Sequence, residues 1–230
     1  MKIALCLSGE NRWGIFCFPY IYNQFLQSKY NVDVFIHSWL DFEGCKTFEL
    51  YNPKKIKLEK QSDVITIAEK ELNGIQFGVK GKRENILKML YGIQQSFNMV
   101  PEYYDIVIRC RFDMYIQENM NFEKVVDDIM NSEYDLCIPG PEKWNYWNGA
   151  GYNDQIAIGN YEAMKVYSSI LSHLPELIEL NNKILHPEEI FGIHLNRSYL
   201  KINQTHLDHR FARDVIPKIT PTEEVKYIKL

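Results

Sequence analysis

The chain is predicted to fold as a single α/β/α sandwich around a mainly parallel sheet. Three observations predict this. Short runs of β-branched and apolar residues alternate with segments of helical apolar spacing. The connections between them are short. The strands also read as continuous apolar runs, as they do when both faces of a sheet are covered. With 230 residues, 46% of them hydrophobic, the chain can bury one sizeable core. We expect one domain over residues 1–220 and a mixed-charge tail over 221–230.

Lys2 to Leu7 reads as the first strand and ends in the polar loop Ser8-Gly9-Glu10-Asn11-Arg12. A mixed aromatic and apolar helix is expected from about Gly14 to Ser28. Val32 to His37 is a second strand and Ile56 to Leu58 a short third. Ser62 with Asp63 should cap a helix running through Leu72, and Gly74, Gly78 and Gly81 make the next stretch a loop. Ile86, Met89, Leu90, Ile93 and Phe97 recur at helical spacing, which predicts a helix over Arg83 to Met99. Tyr104 onward is a strand, Phe122 to Met130 a helix, and Asp135 to Ile138 a strand closed by the turn Pro139-Gly140-Pro141. Gln155 to Ile158 is another strand, followed by a helix that Asn160 can cap.

The run Tyr104-Asp105-Ile106-Val107-Ile108-Arg109-Cys110-Arg111-Phe112-Asp113 is the most informative in the chain. It opens as a buried strand and turns polar without a turn signal. Strand alternation puts Arg109, Arg111 and Asp113 on one side, at the carboxyl end where open α/β sheets bind ligands. Two guanidinium forks suit phosphate oxygens, and the acid beside them suits a divalent cation or a sugar hydroxyl. The alternative is a buried Arg–Asp pair that only ties the strand to a neighbour.

Composition narrows the classes. A net charge of −4 and the lack of a basic cluster with stacking aromatics argue against nucleic acid as a partner. Cysteines at 6, 17, 45, 110 and 137 are odd in number and show no C-x-x-C spacing, and Cys6, Cys110 and Cys137 lie in apolar strand patterns, which reads as buried thiols in a reducing compartment. Ile3 to Leu7 is too short for a signal peptide or transmembrane segment, so a cytoplasmic address is expected. On that address the acceptor patterns at Asn196 and Asn203 are chance matches. The loop from Ser8 to Gly14 frees the backbone at two glycines and opens a helix whose amides can face an anion. It is not a G-x-G-x-x-G turn, and no G-K-[ST] loop occurs, which disfavours dinucleotide dehydrogenases and P-loop enzymes.

An ordered set of motifs carries a resemblance. The opening Lys2-Ile3-Ala4-Leu5-Cys6-Leu7-Ser8-Gly9-Glu10-Asn11-Arg12 is similar to the start of small bacterial and viral polysaccharide-type glycosyltransferases. Asp33-Val34-Phe35-Ile36-His37-Ser38-Trp39 resembles their second strand, and Arg109 to Asp113 their "R-x-R-[FP]-D" strand. Asn153-Asp154-Gln155 with Gly159, and His186-Pro187-Glu188-Glu189, follow in the same order. The resemblance covers roughly residues 1 to 200, and its specificity lies in the order of the set.

The resemblance implies a GT-A-like fold and a nucleotide-sugar-dependent transferase acting on a glycan or polysaccharide acceptor, with a UDP- or dTDP-type donor. It assigns Ser8, Gly9 and Arg12, with His37 and Ser38, to the nucleoside. Arg109, Arg111 and Asp113 fall to the diphosphate and sugar. Where that fold usually carries Asp-x-Asp, this chain has Arg111-Phe112-Asp113. An arginine can neutralise the diphosphate in place of a cation, while manganese or magnesium on Asp113 as the single direct ligand stays open.

Departure of a nucleoside diphosphate needs leaving-group stabilisation, a dry site and, if the reaction inverts, a carboxylate base. Asp154 is the first candidate for that base and Glu188 the second. An Asx-turn at Asp154 and a dipole-favoured helix start at Glu188 are the structural alternatives. His206 and His209 flank Asp208 in a segment that reads as a solvated turn or as a metal or phosphate contact. Trp144-Asn145-Tyr146-Trp147-Asn148 reads as an acceptor-sugar platform or as a loop anchored by its rings. The competing function is a non-catalytic nucleotide- or sugar-binding α/β module.

Overall fold

The computed structural model describes residues 1–40, 44–64, 80–116, 120–140, 151–182, 185–206 and 209–211. In chain order the elements are β1 (Ile3–Ser8), α1 (Gly14–Ile21), β2 (Val32–Trp39), α2 (Gly44–Leu50), β3 (Lys55–Glu59) and α3 (Lys80–Asn98). They continue as β4 (Ile106–Cys110), β5 (Met114–Ile116), α4 (Phe122–Met130), β6 (Leu136–Gly140), β7 (Ile156–Asn160) and α5 (Tyr161–Ser168). The remaining elements are α6 (Ile170–Leu180), α7 (Pro187–Asn196), β8 (Ile202–His206) and β9 (His209–Phe211).

A seven-stranded sheet runs β3-β2-β1-β4-β7-β6-β8. Parallel pairing joins β3, β2, β1 and β4, and also β6 and β8; β7 is antiparallel to both of its neighbours. β5 and β9 form a separate antiparallel pair. Alternation along the strands splits the core in two. Ala4, Cys6, Phe35, Val107 and Ile138 face a cluster built from α3, α5, α6 and α7, including Leu90, Tyr167, Leu174 and Phe191. Ile3, Leu5, Ile36, Ile108 and Ile158 face the other, with Ile21 of α1, Phe48 of α2 and Val126 of α4. Both faces are covered, and the expected α/β/α sandwich holds.

Local signals account for several elements. Asn121 caps α4 through Lys124 N (3.0 Å) and Asn160 caps α5 through Ala163 N (2.8 Å), each satisfying an amide left free at a helix start. Asn160→Ala should lower stability by about 1 kcal/mol, measured by urea unfolding. The first helix is shorter than expected: α1 carries Pro19 and loosens into a π-helical turn over Tyr22–Leu26.

Two expectations change. The residues Pro139 and Gly140 belong to β6 and are not a turn. β7 pairs β6 only at Leu136 and Cys137, so by Pro139 a missing N–H removes no bond on that side. Gly81 lies inside α3 and not in a loop. His206 ends β8 and His209 starts β9, and the turn expected between them falls on residues 207–208, outside the described set. The helix expected through Leu72 is described only over residues 61–64. Residues 141–150, with the Trp144 to Asn148 stretch, and the tail from 212 also lie outside it.

Candidate functional site

The carboxyl ends of β1, β2 and β4 set the site. After β1, Gly9 adopts φ 122°, a conformation that L side chains rarely hold, and the chain swings away from the sheet. Ser38 at the end of β2 donates from Oγ to the Gly9 carbonyl at 2.8 Å and fixes that turn. β4 ends at Cys110, one residue after Arg109 and earlier than alternation predicted. Arg111, Phe112 and Asp113 leave it as a turn. Phe112 anchors the turn in the core against Phe48, centroid to centroid 5.3 Å. Arg111 and Asp113 consequently still share a side.

These ends enclose a cleft of about 270 Å³. Its lining includes Ser8, Gly9, Arg12, Arg109, Arg111 and Asp113, six of the residues that the sequence proposed for donor binding. Ser38 faces a neighbouring cleft that shares Glu10, Arg12 and Trp39 with the first. His37 stands behind both. It is fully buried, with Nε2 at 2.9 Å from Glu59 Oε2 and its ring edge-on to Trp39 and Tyr91. Burial lowers the His37 pKa and outweighs Glu59, so the ring is neutral at pH 7. The geometry makes it a packed support for β2.

Four cations and two carboxylates line the cleft: Arg12, Lys88, Arg109 and Arg111 against Glu10 and Asp113. Arg12 pairs with Glu10. Arg111 forks onto Asp113, Nε to Oδ1 at 2.8 Å and Nη2 to Oδ2 at 2.9 Å. Arg109 differs. Only 2% of it is exposed, its Nη1 donates to the Ser8 and Cys110 carbonyls, and its Nε has no partner. Burial is the largest influence on Arg109 and pulls its pKa down, yet an arginine stays protonated in a protein. The floor of the cleft therefore holds a cation that no side-chain hydrogen bond neutralises.

Asp154 lies behind this floor. The antiparallel pairing of β4 and β7, Cys110 opposite Ile156, brings the approach to β7 beside the exit from β4. Asp154 is buried, with 6% of the residue exposed, and it is Asn153 that supplies the Asx-turn by accepting from Gln155 N at 2.6 Å. Burial raises the Asp154 pKa, opposed by Arg111 and then Arg109. Glu188 follows Pro187 in the first turn of α7, with His186 Nδ1 at 3.1 Å from its Oε2. The Tyr152 amide donates to the Glu188 carbonyl at 3.0 Å, which ties the two candidate carboxylates into one corner. Burial, and next Asp154, raise the Glu188 pKa. Its side chain is 18% exposed, so it is the one open to solvent.

A cation site on Asp113 fits this geometry poorly. Both of its oxygens accept from Arg111, and among the described residues no group of three His, Cys, Asp or Glu side chains could hold a metal ion. Sequence reasoning took Ile86 and Met89 of α3 only as apolar helix positions and did not single out Asn85 and Lys88, which complete the third wall with them. Its signal was a polar pair, Asn85 and Lys88, spaced three apart on an otherwise apolar face.

A family model described as a domain of unknown function, DUF7796, matches residues 1–212. No curated protein matches the sequence. Among solved structures, mouse xyloside xylosyltransferase 1 in its apo form is similar at a TM-score of 0.52 and 11% identity, over 89% of this chain and 84% of that one. A protein from Desulfovibrio desulfuricans G20 described as a nucleotide-diphospho-sugar transferase is similar at a TM-score of 0.42 and 12% identity, over 89% and 79%. The fold is GT-A-like, as the sequence motifs implied. Among the described residues no helix is long and apolar enough to cross a membrane.

Proposed function

The chain belongs to the DUF7796 family, and we propose that it is a glycosyltransferase of the polysaccharide-building kind. It takes a sugar from a UDP- or dTDP-type nucleotide-sugar and passes it to a glycan acceptor. One observation carries the reading: in a chain of net charge −4, the cleft at the strand ends has an excess of cations over a buried arginine with only carbonyl partners. Such a floor is incomplete without an anion, and a diphosphate supplies one. The free, buried thiols of Cys6, Cys17, Cys110 and Cys137 support a reducing, cytoplasmic setting.

In this reading Arg109 and Arg111 stabilise the charge that develops on the departing diphosphate. Asp113 holds the Arg111 fork in register and meets a donor-sugar hydroxyl. Ser8, Gly9 and Arg12 line the nucleoside end, with Ser38 fixing the loop and His37 backing it. Glu188, the more exposed carboxylate, takes the acceptor proton, and Asp154 balances the two arginines from behind. No step runs through a metal ion.

A second reading, a non-catalytic nucleotide-binding module, has its own observation: Asp154 and Glu188 stand outside the residues that line the cleft. Thermal-shift titration with nucleoside diphosphates and nucleotide-sugars tests the binding half, since a ligand of the folded state raises apparent stability. Slow hydrolysis of a nucleotide-sugar without acceptor is expected of the enzyme and not of the module. Calorimetry that finds no nucleoside diphosphate bound at millimolar concentration overturns both.

A further inference from the structure

The helix α3 packs on the strand ends at Gly92. A Cβ there would lie 3.4 Å from His37 Nδ1 and 3.5 Å from Ser8 Oγ, ordinary contact distances, so this turn of the helix sits on the carboxyl ends of β1 and β2. One turn earlier, the same helix presents Lys88 and Met89 to the cleft, and Asn85 before them. Lys88 Nζ donates to Gln61 Oε1 at 2.8 Å, and Gln61 Nε2 donates to Glu10 Oε1 at 3.3 Å. Glu10 in turn pairs with Arg12. A polar chain thus crosses from α3, through the helical residues 61–64, to the loop after β1.

Among the described residues, Lys88 is the lining cation held only by a neutral amide. Arg12 and Arg111 each have a carboxylate, and Arg109 is fixed by burial. A lysine ammonium on a four-carbon stem can change partners without moving its helix. We propose that Lys88 is an anion-binding residue of the cleft, parked on Gln61 in the free protein and transferred to a phosphate oxygen of the bound diphosphate. This rests on the nucleotide-sugar reading for the identity of the diphosphate. Exchanging a neutral amide oxygen for an anionic phosphate oxygen turns the ammonium's hydrogen bond into an ion pair, which favours the transfer. Binding then releases Gln61 and, through it, loosens the tie on Glu10 and Arg12.

The test measures dissociation constants by calorimetry for inorganic pyrophosphate, UDP and uridine on the wild type and on Lys88→Met, Lys88→Arg and Gln61→Ala. Lys88→Met should weaken pyrophosphate and UDP by tenfold or more and show a shallower salt dependence. Lys88→Arg should stay within about threefold, because it keeps the charge. The Gln61→Ala variant should keep wild-type affinity within about twofold, since it removes only the parking contact. Unchanged UDP and pyrophosphate affinity in Lys88→Met overturns the proposal. So does a loss in Gln61→Ala as large as that in Lys88→Met, which would make Lys88 part of a structural strap. If wild type binds pyrophosphate in a Lys88-dependent way but prefers no nucleotide, the anion site stands and the nucleotide-sugar reading fails. Binding of neither ligand by the wild type overturns both.

Discussion

Arg109→Met is expected to cost the cleft its diphosphate affinity while leaving the protein folded and no less stable. Among the described residues the arginine is the largest fully buried side chain, and its Nε makes no hydrogen bond. Keeping such a group out of water carries a penalty of several kcal/mol, only partly offset by two carbonyls and the field of Asp154. Methionine has a comparable reach, no charge and a flexible stem that fills irregular space. The unfolding temperature should therefore hold or rise. Hydrogen bonds to a charged group contribute about 1.5–3 kcal/mol, so the dissociation constant for a nucleoside diphosphate should increase by about 10- to 150-fold. That pairing of lost binding with retained stability marks a residue kept for its ligand. A fall in melting temperature at unchanged affinity would make Arg109 a structural brace.

Glu188→Gln should give the largest effect on turnover. A general base contributes on the order of 100-fold or more, and the amide cannot accept a proton. Donor affinity should stay near the wild-type value, because Glu188 lies outside the cleft lining. The pH profile adds a check. Burial and the nearby Asp154 raise the Glu188 pKa, and a base works only when ionised. Activity should therefore climb as pH rises through a midpoint above the ordinary carboxylate range, and Glu188→Gln should abolish that limb. Asp154→Asn should behave differently, disturbing both donor affinity and turnover, since Asp154 faces both arginines. A Glu188→Gln enzyme with full activity and an unaltered profile would remove Glu188 from the chemistry.

Much of the frame was legible because its signals are local. Three consecutive β-branched residues, Ile106-Val107-Ile108, marked β4, and the expected limits of α4 agree with the structure at both ends. Asn160 announced its own cap. The direction of β7 was not legible, since a buried strand reads alike in either sense. β8 was missed for a related reason: Asn203, Gln204 and Thr205 give an edge strand no apolar run to read. At the site, the cations of the β4 exit could be named from spacing, because three residues separated by two share a side. The burial of Asp154 was not legible because it depends on a helix start some thirty residues further on, a distance no local pattern spans. Lys88 and Asn85 were hidden inside a helix whose apolar face drew the eye to the core.

The order of the sheet also dictates when it can be finished. β1 aligns with β4 from Ile3 opposite Ile106, and β6 receives its outer neighbour only from Ile202 onward. During synthesis, then, a growing chain carries the unpaired flank of β1 until about a hundred further residues have appeared, and that of β6 until about sixty have. Non-local pairing of this sort folds slowly and leaves strand flanks free to meet other chains. Release of the chain before Ile202 would leave β6 as a permanent edge, with the backbone N–H and C=O groups of Leu136 to Ile138 open to whatever strand arrives there. Nascent chains stalled at that length should aggregate or recruit a chaperone, whereas chains extended past Phe211 should not.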